Sequence, residues 1–142
     1  MLVQDVMTRG VEGVQSQDTV LHAAVRMKEL DIGSLAVFDN SRLVGIITDR
    51  DVAVRVVGNS LNPVHTSVGE IMSKEPVSCN ETSELSEAAH IMENYKIRRL
   101  LVKDSTGEIC GIINVDDIAL RGEEVLAVEV LKNVKDHFGP RR

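Results

Sequence analysis

The sequence predicts an α+β fold made of two β-α-β-β-α repeats related by a pseudo-twofold axis, with one helix after them. The first observation is that GIITDRDVAVRVV, from Gly45, is echoed 66 positions later by GIINVDDIALRG, from Gly111. The second is that the apolar face of a predicted helix recurs 65 positions later. A half of about 60 residues would not close a robust core alone, so we expect the halves to pack sheet against sheet.

Each half is expected to open with a short segment that leads into an amphipathic helix. VQDVMTRG, from Val3, aligns with VGEIMSKE, from Val68. Asp18 and Ser83, at equivalent positions, are predicted as the helix N-caps. Apolar residues then recur at i, i+3, i+4, i+7 and i+10, which is one face of a helix. They are Val20, Ala23, Ala24, Met27 and Leu30, and in the second half Leu85, Ala88, Ala89, Met92 and Tyr95.

A strand hairpin is predicted after each helix. IGSLAVFD, from Ile32, aligns with IRRLLVKD, from Ile97, and both runs end at an acid. The following turn is rich in Asn, Ser and Gly, as a hairpin requires. It is one residue longer in the second half, which changes the offset from 65 to 66. LVGII and ICGII follow as buried strands, and each leads to another helix.

The repeat predicts three regions of the chain. Residues 1–61 form the first repeat, residues 62–121 the second, and residues 122–142 a C-terminal helix and tail. This last helix has acids at its start and lysines late, which suits the helix dipole. Its apolar stripe would either close the core or meet a second subunit. The stripe consists of Ala127, Val130, Leu131, Val134 and Phe138.

Composition excludes several classes of protein. With 43% hydrophobic and 27% charged residues, the chain is expected to be globular. Its net charge of −6 argues against nucleic acid as a partner, because such binding needs a basic face. No apolar run reaches the roughly 18 residues that span a bilayer, and the N-terminus does not resemble a signal peptide. We therefore expect a cytoplasmic protein without membrane partners.

The two cysteines are expected to be core residues. Cys79 and Cys110 lack the spacing of a metal or redox motif. In the repeat alignment they fall opposite Val14 and Val44, and a cysteine in place of valine is a small core hydrophobe. A disulfide between them is the alternative.

These ordered features resemble the CBS-domain pair, named after cystathionine β-synthase, from Val3 to Leu120. The resemblance implies a regulatory module that binds an adenosine-containing ligand in clefts between its two halves, with AMP, ADP or ATP expected and no cofactor required. The matching elements are DVMT and EIMS, the AA..M helices, IRRLLV, and the GII strands that lead to TDRD (48–51) and NVDD (114–117).

The family's strand-end motif is Ser or Thr, two residues, then Asp, and it implies roles for matching residues. Asp51 would accept hydrogen bonds from both ribose hydroxyls, since a carboxylate has two acceptor oxygens. Thr48 and backbone N–H groups at the helix start would hold phosphate oxygens, with Arg50 as a further partner. Adenine would lie between apolar strand positions. These are Val11, Ile32 and Leu35 in the first half, and Val77, Ile97 and Leu100 in the second.

The second half departs from this pattern at its strand end. Asn114 replaces the hydroxyl residue, although Asp117 is present. Asp116 takes the place of Arg50 and would repel a phosphate unless a metal ion bridged them. We therefore expect the Asp51 pocket to bind best and the second to be weaker or empty, which gives one ligand per chain.

The second half instead has basic residues at the start of its hairpin. Arg98 and Arg99 stand where the first half has Gly33 and Ser34. In the family, basic residues at this position reach toward phosphates, which guanidinium groups bind in a bidentate manner. The alternative is that this arginine pair is a solvated strand end.

The strand-end motif also has a purely structural interpretation. Thr-x-x-Asp before an apolar helix is a capping box. In it the Thr48 side chain accepts a hydrogen bond from the Asp51 N–H, and the Asp51 side chain accepts one from the Thr48 N–H. Both interpretations can hold, because a helix start that binds an anion still needs a cap when it is empty.

An enzyme is not expected. Paired acids such as Asp116 and Asp117 could suggest carboxylate catalysis, but their duplication at helix starts has a structural explanation. No metal-ligand, nucleophile or phosphate-loop motif is present. The resemblance implies instead a stand-alone energy-sensing homodimer that signals to an unknown effector protein. The alternative is a structural or dimerisation module that binds no ligand.

Overall fold

The computed structural model describes residues 1–74 and 76–135 of the chain. They belong to two compact units. The first unit is Val11–Pro76, and the second unit combines Met1–Gly10 with Val77–Arg142. Each unit holds a four-stranded mixed sheet with helices packed against it, so the predicted α+β fold is confirmed.

The described strands, in chain order, are β1 (Thr8–Arg9), β2 (Gly13–Gln15), β3 (Ser34–Asp39), β4 (Arg42–Thr48), β5 (Ser73–Lys74), β6 (Ser78–Asn80), β7 (Arg99–Lys103) and β8 (Ile109–Asn114). The helices are α1 (Val20–Leu30), α2 (Asp49–Asp51), α3 (Val68–Ile71), α4 (Leu85–Tyr95), α5 (Val115–Arg121) and α6 (Glu124–Lys135). A 3-10 turn spans Val3–Asp5, and a π-helix, Val52–Val57, continues α2. Within the described part of the chain, no helix is both long and apolar enough to cross a membrane.

The two sheets share one topology. Their strand orders are β2-β3-β4-β5 in the first unit and β6-β7-β8-β1 in the second. In each sheet the first pair of strands is parallel and the other two pairs are antiparallel. The predicted hairpins are β3–β4 and β7–β8, and their turns contain Asn40 and Gly107 at positive φ.

The edge strand of each sheet comes from the segment that opens the other repeat. In the second unit, β1 pairs with β8 and places Thr8 opposite Ile112. In the first unit, β5 pairs with β4 and places Ser73 opposite Ile46. Each unit is therefore completed by residues that lie elsewhere in the sequence. The divisions after residues 61 and 121 stay predictions of the repeat limits.

The predicted apolar faces of α1 and α4 lie in the cores of their units, except for Ala24, which is half-buried, and the last residue of each face. Val20, Ala23 and Met27 are buried, as are the equivalent residues of α4. Leu30 and Tyr95 were predicted on these faces but are 41% and 61% exposed. At about 100° per residue, position i+10 lies about 80° from position i, at the margin of the apolar face, and Leu30 and Tyr95 are also the last residues of their helices.

The predicted N-caps were wrong by one residue. Thr19 caps α1 by accepting a hydrogen bond from the His22 N–H at 3.1 Å. Asp18 instead accepts from the Gln15 N–H at 2.8 Å. Ser83 is not the N-cap of α4 either, since Glu84 holds that position without a side-chain cap bond. There the Met1 carbonyl accepts the Leu85 N–H at 2.9 Å, a tertiary contact that no local pattern signals.

The C-terminal helix closes the core of the second unit. α6 packs against α4 and α5 and buries Ala127, Val130 and Val134. Leu131 was predicted on this stripe but is 43% exposed. Phe138, the last predicted member, lies outside the described residues.

Both cysteines are free thiols. Cys79 is buried at the centre of β6, as Val14 is in β2, which confirms the core prediction. Burial raises the pKa of the Cys79 thiol to about 11. Cys110 is half-buried on β8, and β7 separates the two strands. Two strand spacings amount to about 9.6 Å, beyond the roughly 7 Å limit between the Cα atoms of a disulfide.

Candidate functional site

The candidate motifs lie where a strand passes directly into a helix. β4 ends at Thr48 and α2 begins at the next residue, while β8 ends at Asn114 before α5. Thr48 has φ −118° and ψ 163°, and Asn114 has φ −122° and ψ 169°. The two units therefore repeat the same backbone turn.

A reciprocal capping box closes both turns. In the first unit the Thr48 hydroxyl accepts from the Asp51 N–H at 3.1 Å, and Asp51 Oδ2 accepts from the Thr48 N–H at 2.9 Å. Asn114 and Asp117 make the same two bonds at 2.9 and 3.1 Å. The capping interpretation of the motif therefore holds. Asp51 and Asp117 are only 8% and 7% exposed, so each carboxylate is held in one orientation.

The second oxygen of each carboxylate faces a different partner. Asp51 Oδ1 lies 3.7 Å from Arg55 Nε, which is an ion pair rather than a hydrogen bond. Asp117 Oδ1 accepts a hydrogen bond from the Thr8 hydroxyl at 3.3 Å. A carboxylate oxygen has two lone pairs, so Oδ1 of Asp51 keeps acceptor capacity for a hydroxyl group.

The N–H groups at the start of α2 have partners within the protein. The Asp49 N–H donates to the Gly33 carbonyl at 3.0 Å. The Arg50 N–H donates to the side chain of Asp49 at 2.8 Å. That these groups hold phosphate oxygens stays a prediction, because here they donate to acceptors of the protein itself. A phosphate here would have to replace the Asp49 carboxylate.

Gly33 and Ser34, at the start of the β3–β4 hairpin, lie beside the turn that contains Thr48 and Asp49. Ser34 lies opposite Thr48 in the β3–β4 register. A Cβ atom at Gly33 would lie 3.0 Å from Asp49 Oδ2, so this carboxylate rests against the glycine.

The second unit makes the equivalent arrangement with basic residues. Arg99 lies opposite Asn114, and the Arg98 carbonyl accepts the Val115 N–H at 2.9 Å. Val115 stands at the position of Asp49, so it adds no carboxylate to this turn.

The apolar candidates divide by burial. Leu35 and Leu100 are core residues of their own units, so only their backbone groups could meet a ligand. Half-buried positions that can offer side-chain surface are Val11, Ile32, Val77 and Ile97.

Sequence reasoning missed three residues around the carboxylates: Thr8, Asp49 in its contact with Gly33, and Arg55. Arg55 did have a signal, since an arginine recurs 66 positions later as Arg121. Thr8 had none, because it lies 109 residues from Asp117 in the chain. No group of three or more His, Cys, Asp or Glu side chains in the described residues could hold a metal ion.

Comparison with known proteins identifies relatives along most of the chain. The family model of the CBS domain matches residues 3–58 and 68–123. The CBS domain-containing protein YhcV of Bacillus subtilis is 36% identical over 118 residues, which is 83% of each chain.

Solved structures share the fold. A conserved CBS domain protein of unknown function from Thermoplasma acidophilum, TA0289, has a TM-score of 0.85 at 21% identity, over 95% of this chain and 76% of its own. Hypoxic Response Protein I, with two coordinated zinc ions, has a TM-score of 0.72 at 31% identity, over 84% and 97%. CBSX2 in complex with AMP has a TM-score of 0.69 at 25% identity, over 90% and 98%.

Proposed function

Because this chain belongs to the CBS-domain family, we propose that it is a regulatory module that binds an adenine nucleotide and signals to a separate effector protein. Tandem CBS domains are a regulatory ligand-binding module. The AMP complex of CBSX2 supports adenine nucleotides as the ligand class. AMP, ADP and ATP are the proposed ligands.

The observation that carries this proposal is the carboxylate of Asp51. Its Oδ2 atom is fixed at 2.9 Å by the Thr48 N–H, and the side chain is nearly buried. Its Oδ1 atom lies outside the capping box and retains acceptor capacity. A ribose offers two adjacent hydroxyl donors, which suit an acceptor that is already oriented, because little side-chain entropy remains to be lost on binding.

The remaining contacts follow from the same turn. The Thr48 hydroxyl accepts from a backbone N–H and still has its own hydrogen to donate to a phosphate. Arg50 is proposed as the phosphate cation of this site. The adenine would meet Val11, Ile32 and the backbone of Gly33, Ser34 and Leu35. A second, weaker site would use Val77, Ile97, Arg98, Arg99, Asn114 and Asp117.

Asp49 limits how many phosphates the first site accepts. Its carboxylate lies at the start of α2 against Gly33, on the turn beside which the phosphates of the proposed ligand would lie. Two anions at close range repel each other unless a cation lies between them. We therefore propose that AMP binds this site more tightly than ATP does when divalent cations are absent.

The test is calorimetric titration with AMP, ADP, ATP, NAD and S-adenosylmethionine. The Asp51→Asn variant keeps an oxygen that can accept the Thr48 N–H but loses the charge, and Asp117→Asn is its matched control. We expect one AMP per chain, at least tenfold weaker binding by Asp51→Asn, and little change in Asp117→Asn. Two equal sites would contradict the preference for Asp51. Absence of binding by every ligand would contradict the nucleotide proposal itself.

The second candidate function is a dimerisation module without a ligand. Exposed apolar side chains favour it: Leu120 and Val125, near the α5–α6 junction, are 84% and 74% exposed. We propose that the protein is a homodimer in either case, and light scattering of the purified chain would measure its mass. We propose no catalytic activity, and incubation with each nucleotide followed by product analysis would detect turnover.

A further inference from the structure

One side chain connects the candidate site of the first unit to the edge of its sheet. Arg55 faces Asp51 Oδ1 through Nε at 3.7 Å. Its Nη1 atom donates to the carbonyls of Ile71, at 2.9 Å, and Met72, at 3.2 Å. These carbonyls lie at the end of α3, immediately before the edge strand β5. A single guanidinium therefore spans the carboxylate and the segment that completes the sheet.

The helix that carries Arg55 has an unusual local structure. Val52–Val57 is a π-helix, and its widened turn ends with the Gly58 N–H bonded to the Ala53 carbonyl at 2.9 Å. A Cβ atom at Gly58 would lie 2.4 Å from the Val54 carbonyl oxygen, so this ending requires glycine. π-Helical turns are rare and occur frequently at functional sites.

The second unit has the same arginine without the same connection. Arg121 follows Asp117 by four residues, as Arg55 follows Asp51, but α5 is an ordinary α-helix. In the described part of the chain Arg121 forms no ion pair with Asp117. Thr8, on the edge strand β1, donates to Asp117 directly. The second unit therefore links its carboxylate to its edge strand through Thr8, whereas among the described residues of the first unit a cation links Asp51 to the two residues just before β5.

We propose that Arg55 is the positioning residue of the Asp51 site and couples its occupancy to the segment Ile71–Lys74. This inference rests on the proposed nucleotide function. The guanidinium attracts the Asp51 carboxylate and keeps it turned toward the ligand, without occupying Oδ1 by a hydrogen bond. A bound ribose in turn fixes Oδ1 and excludes water from it, and the lower local dielectric strengthens the attraction for Arg55, which tightens its bonds to the Ile71 and Met72 carbonyls. By thermodynamic linkage, the free energy by which AMP strengthens the contact of Arg55 with Ile71–Lys74 equals the free energy by which that contact strengthens AMP binding.

The test uses the full chain and the probe AMP. Arg55→Met removes the charge and the donors but keeps an unbranched side chain, and Arg121→Met is the matched control. Affinity comes from calorimetry, and amide hydrogen exchange of Ile71–Lys74 is measured with and without AMP. The Arg55 side chain is 47% exposed, so we expect the variant to fold.

In the wild type we expect AMP to slow exchange in Ile71–Lys74. In Arg55→Met we expect faster exchange without ligand, about tenfold weaker AMP binding, and no further protection by AMP. Arg121→Met should behave as the wild type. Arg55→Lys should recover most of the affinity but little of the protection, because one ammonium group does not span both the carboxylate and the two carbonyls.

The outcomes separate this inference from the proposed function. If the wild type binds AMP, and Arg55→Met binds it equally well with the same protection, the role of Arg55 is refuted while nucleotide binding stands. If the wild type binds no AMP, the proposed function fails, and with it the coupling. Unchanged exchange of ligand-free Arg55→Met would refute the structural connection independently of any ligand.

Discussion

At the scale of single residues, Asp49 adds a negative charge to the candidate site of the first unit. Its carboxylate accepts the Arg50 N–H and rests against Gly33, so a negative charge occupies the helix start. Helix N-termini normally favour anions, and here the protein supplies its own. The equivalent turn in the second unit has Val115 at this position. The two sites are therefore expected to differ in how they receive phosphates.

Replacing Asp49 by Asn tests this effect. The amide keeps the size and an acceptor for the Arg50 N–H but removes the charge. We expect ATP to bind about fivefold more tightly, since one repulsive charge at close range in a solvated site is worth about 1 kcal/mol. Adenosine affinity should stay the same. Calorimetric titration of both ligands without divalent cations measures the ratio.

The matched control is Asp116→Asn, which removes an exposed charge from the other unit. If adenosine and ATP affinities rise equally in Asp49→Asn, the effect is not electrostatic and Asp49 has another role.

At the scale of elements, the GII strands owe their glycine to the edge strands. A Cβ atom at Gly111 would lie 2.5 Å from the Thr8 carbonyl oxygen, in β1. A Cβ atom at Gly45 would lie 2.7 Å from the Ser73 carbonyl oxygen, in β5. Ser73 is the repeat counterpart of Thr8, so both copies of the motif meet the same restriction. Only glycine lets the edge strand approach this closely.

Substitution of Gly111 by Ala is therefore expected to displace β1. The clash involves backbone, which cannot move aside as a side chain can, and we expect a loss of about 1–3 kcal/mol in the free energy of unfolding. Denaturant unfolding measures this loss.

Gly33→Ala is the matched control, because its new Cβ atom would meet only the movable carboxylate of Asp49. An equal loss in both variants would mean that the edge strand is not what restricts Gly111.

The two helices that follow the GII strands differ in their hydrogen-bonding pattern, although their sequences align in the repeat. DRDVAVR and VDDIALR match in pattern, yet the first continues into a π-helix and the second is an α-helix. Two glycines mark the local difference: Gly58, which ends the π-helix and has Glu124 as its counterpart, and Gly122, which ends α5 and has Val56 as its counterpart. A change in the hydrogen-bond ladder has no signature in hydrophobic periodicity, which both segments satisfy.

At the scale of the whole molecule, each unit has its own hydrophobic core, and α6 belongs to one of them. Ala127, Val130 and Val134 pack with α4 and α5, whereas Met72 is the last of the described residues that pack in the core of the first unit. Loss of α6 packing should therefore affect the second unit first.

Val130→Ala tests this assignment. Val130 is fully buried, and removing its two methyl groups should reduce stability by about 2 kcal/mol through lost burial and a cavity. We expect amide exchange to accelerate in α4 and β8 more than in α1 and β4. Leu131→Ala, at an exposed position of the same helix, should have little effect. Equal acceleration in both units after Val130→Ala would contradict the separate cores.

The sequence by itself determined the repeat, the elements and the polar turn at each strand end. Helix faces, hairpins and the alternation between them are local periodicities, and duplication let each half confirm the other. The positions of Asp51 and Asp117 at the starts of helices follow from the same local pattern. The predicted N-caps were wrong by one residue because several adjacent polar residues could cap each helix. Tertiary packing determines which of them does so.

Only the tertiary structure decided which segments complete each sheet and what surrounds each carboxylate. The opening segments of the two repeats are alike, so no local property shows that β1 joins β8 and β5 joins β4. Thr8 and Arg55 reach their carboxylates by different routes, through an edge strand and through a π-helix. Such contacts join segments that are distant in the chain. Local sequence patterns carry no information about which distant segments pack together, so only the tertiary structure shows these contacts.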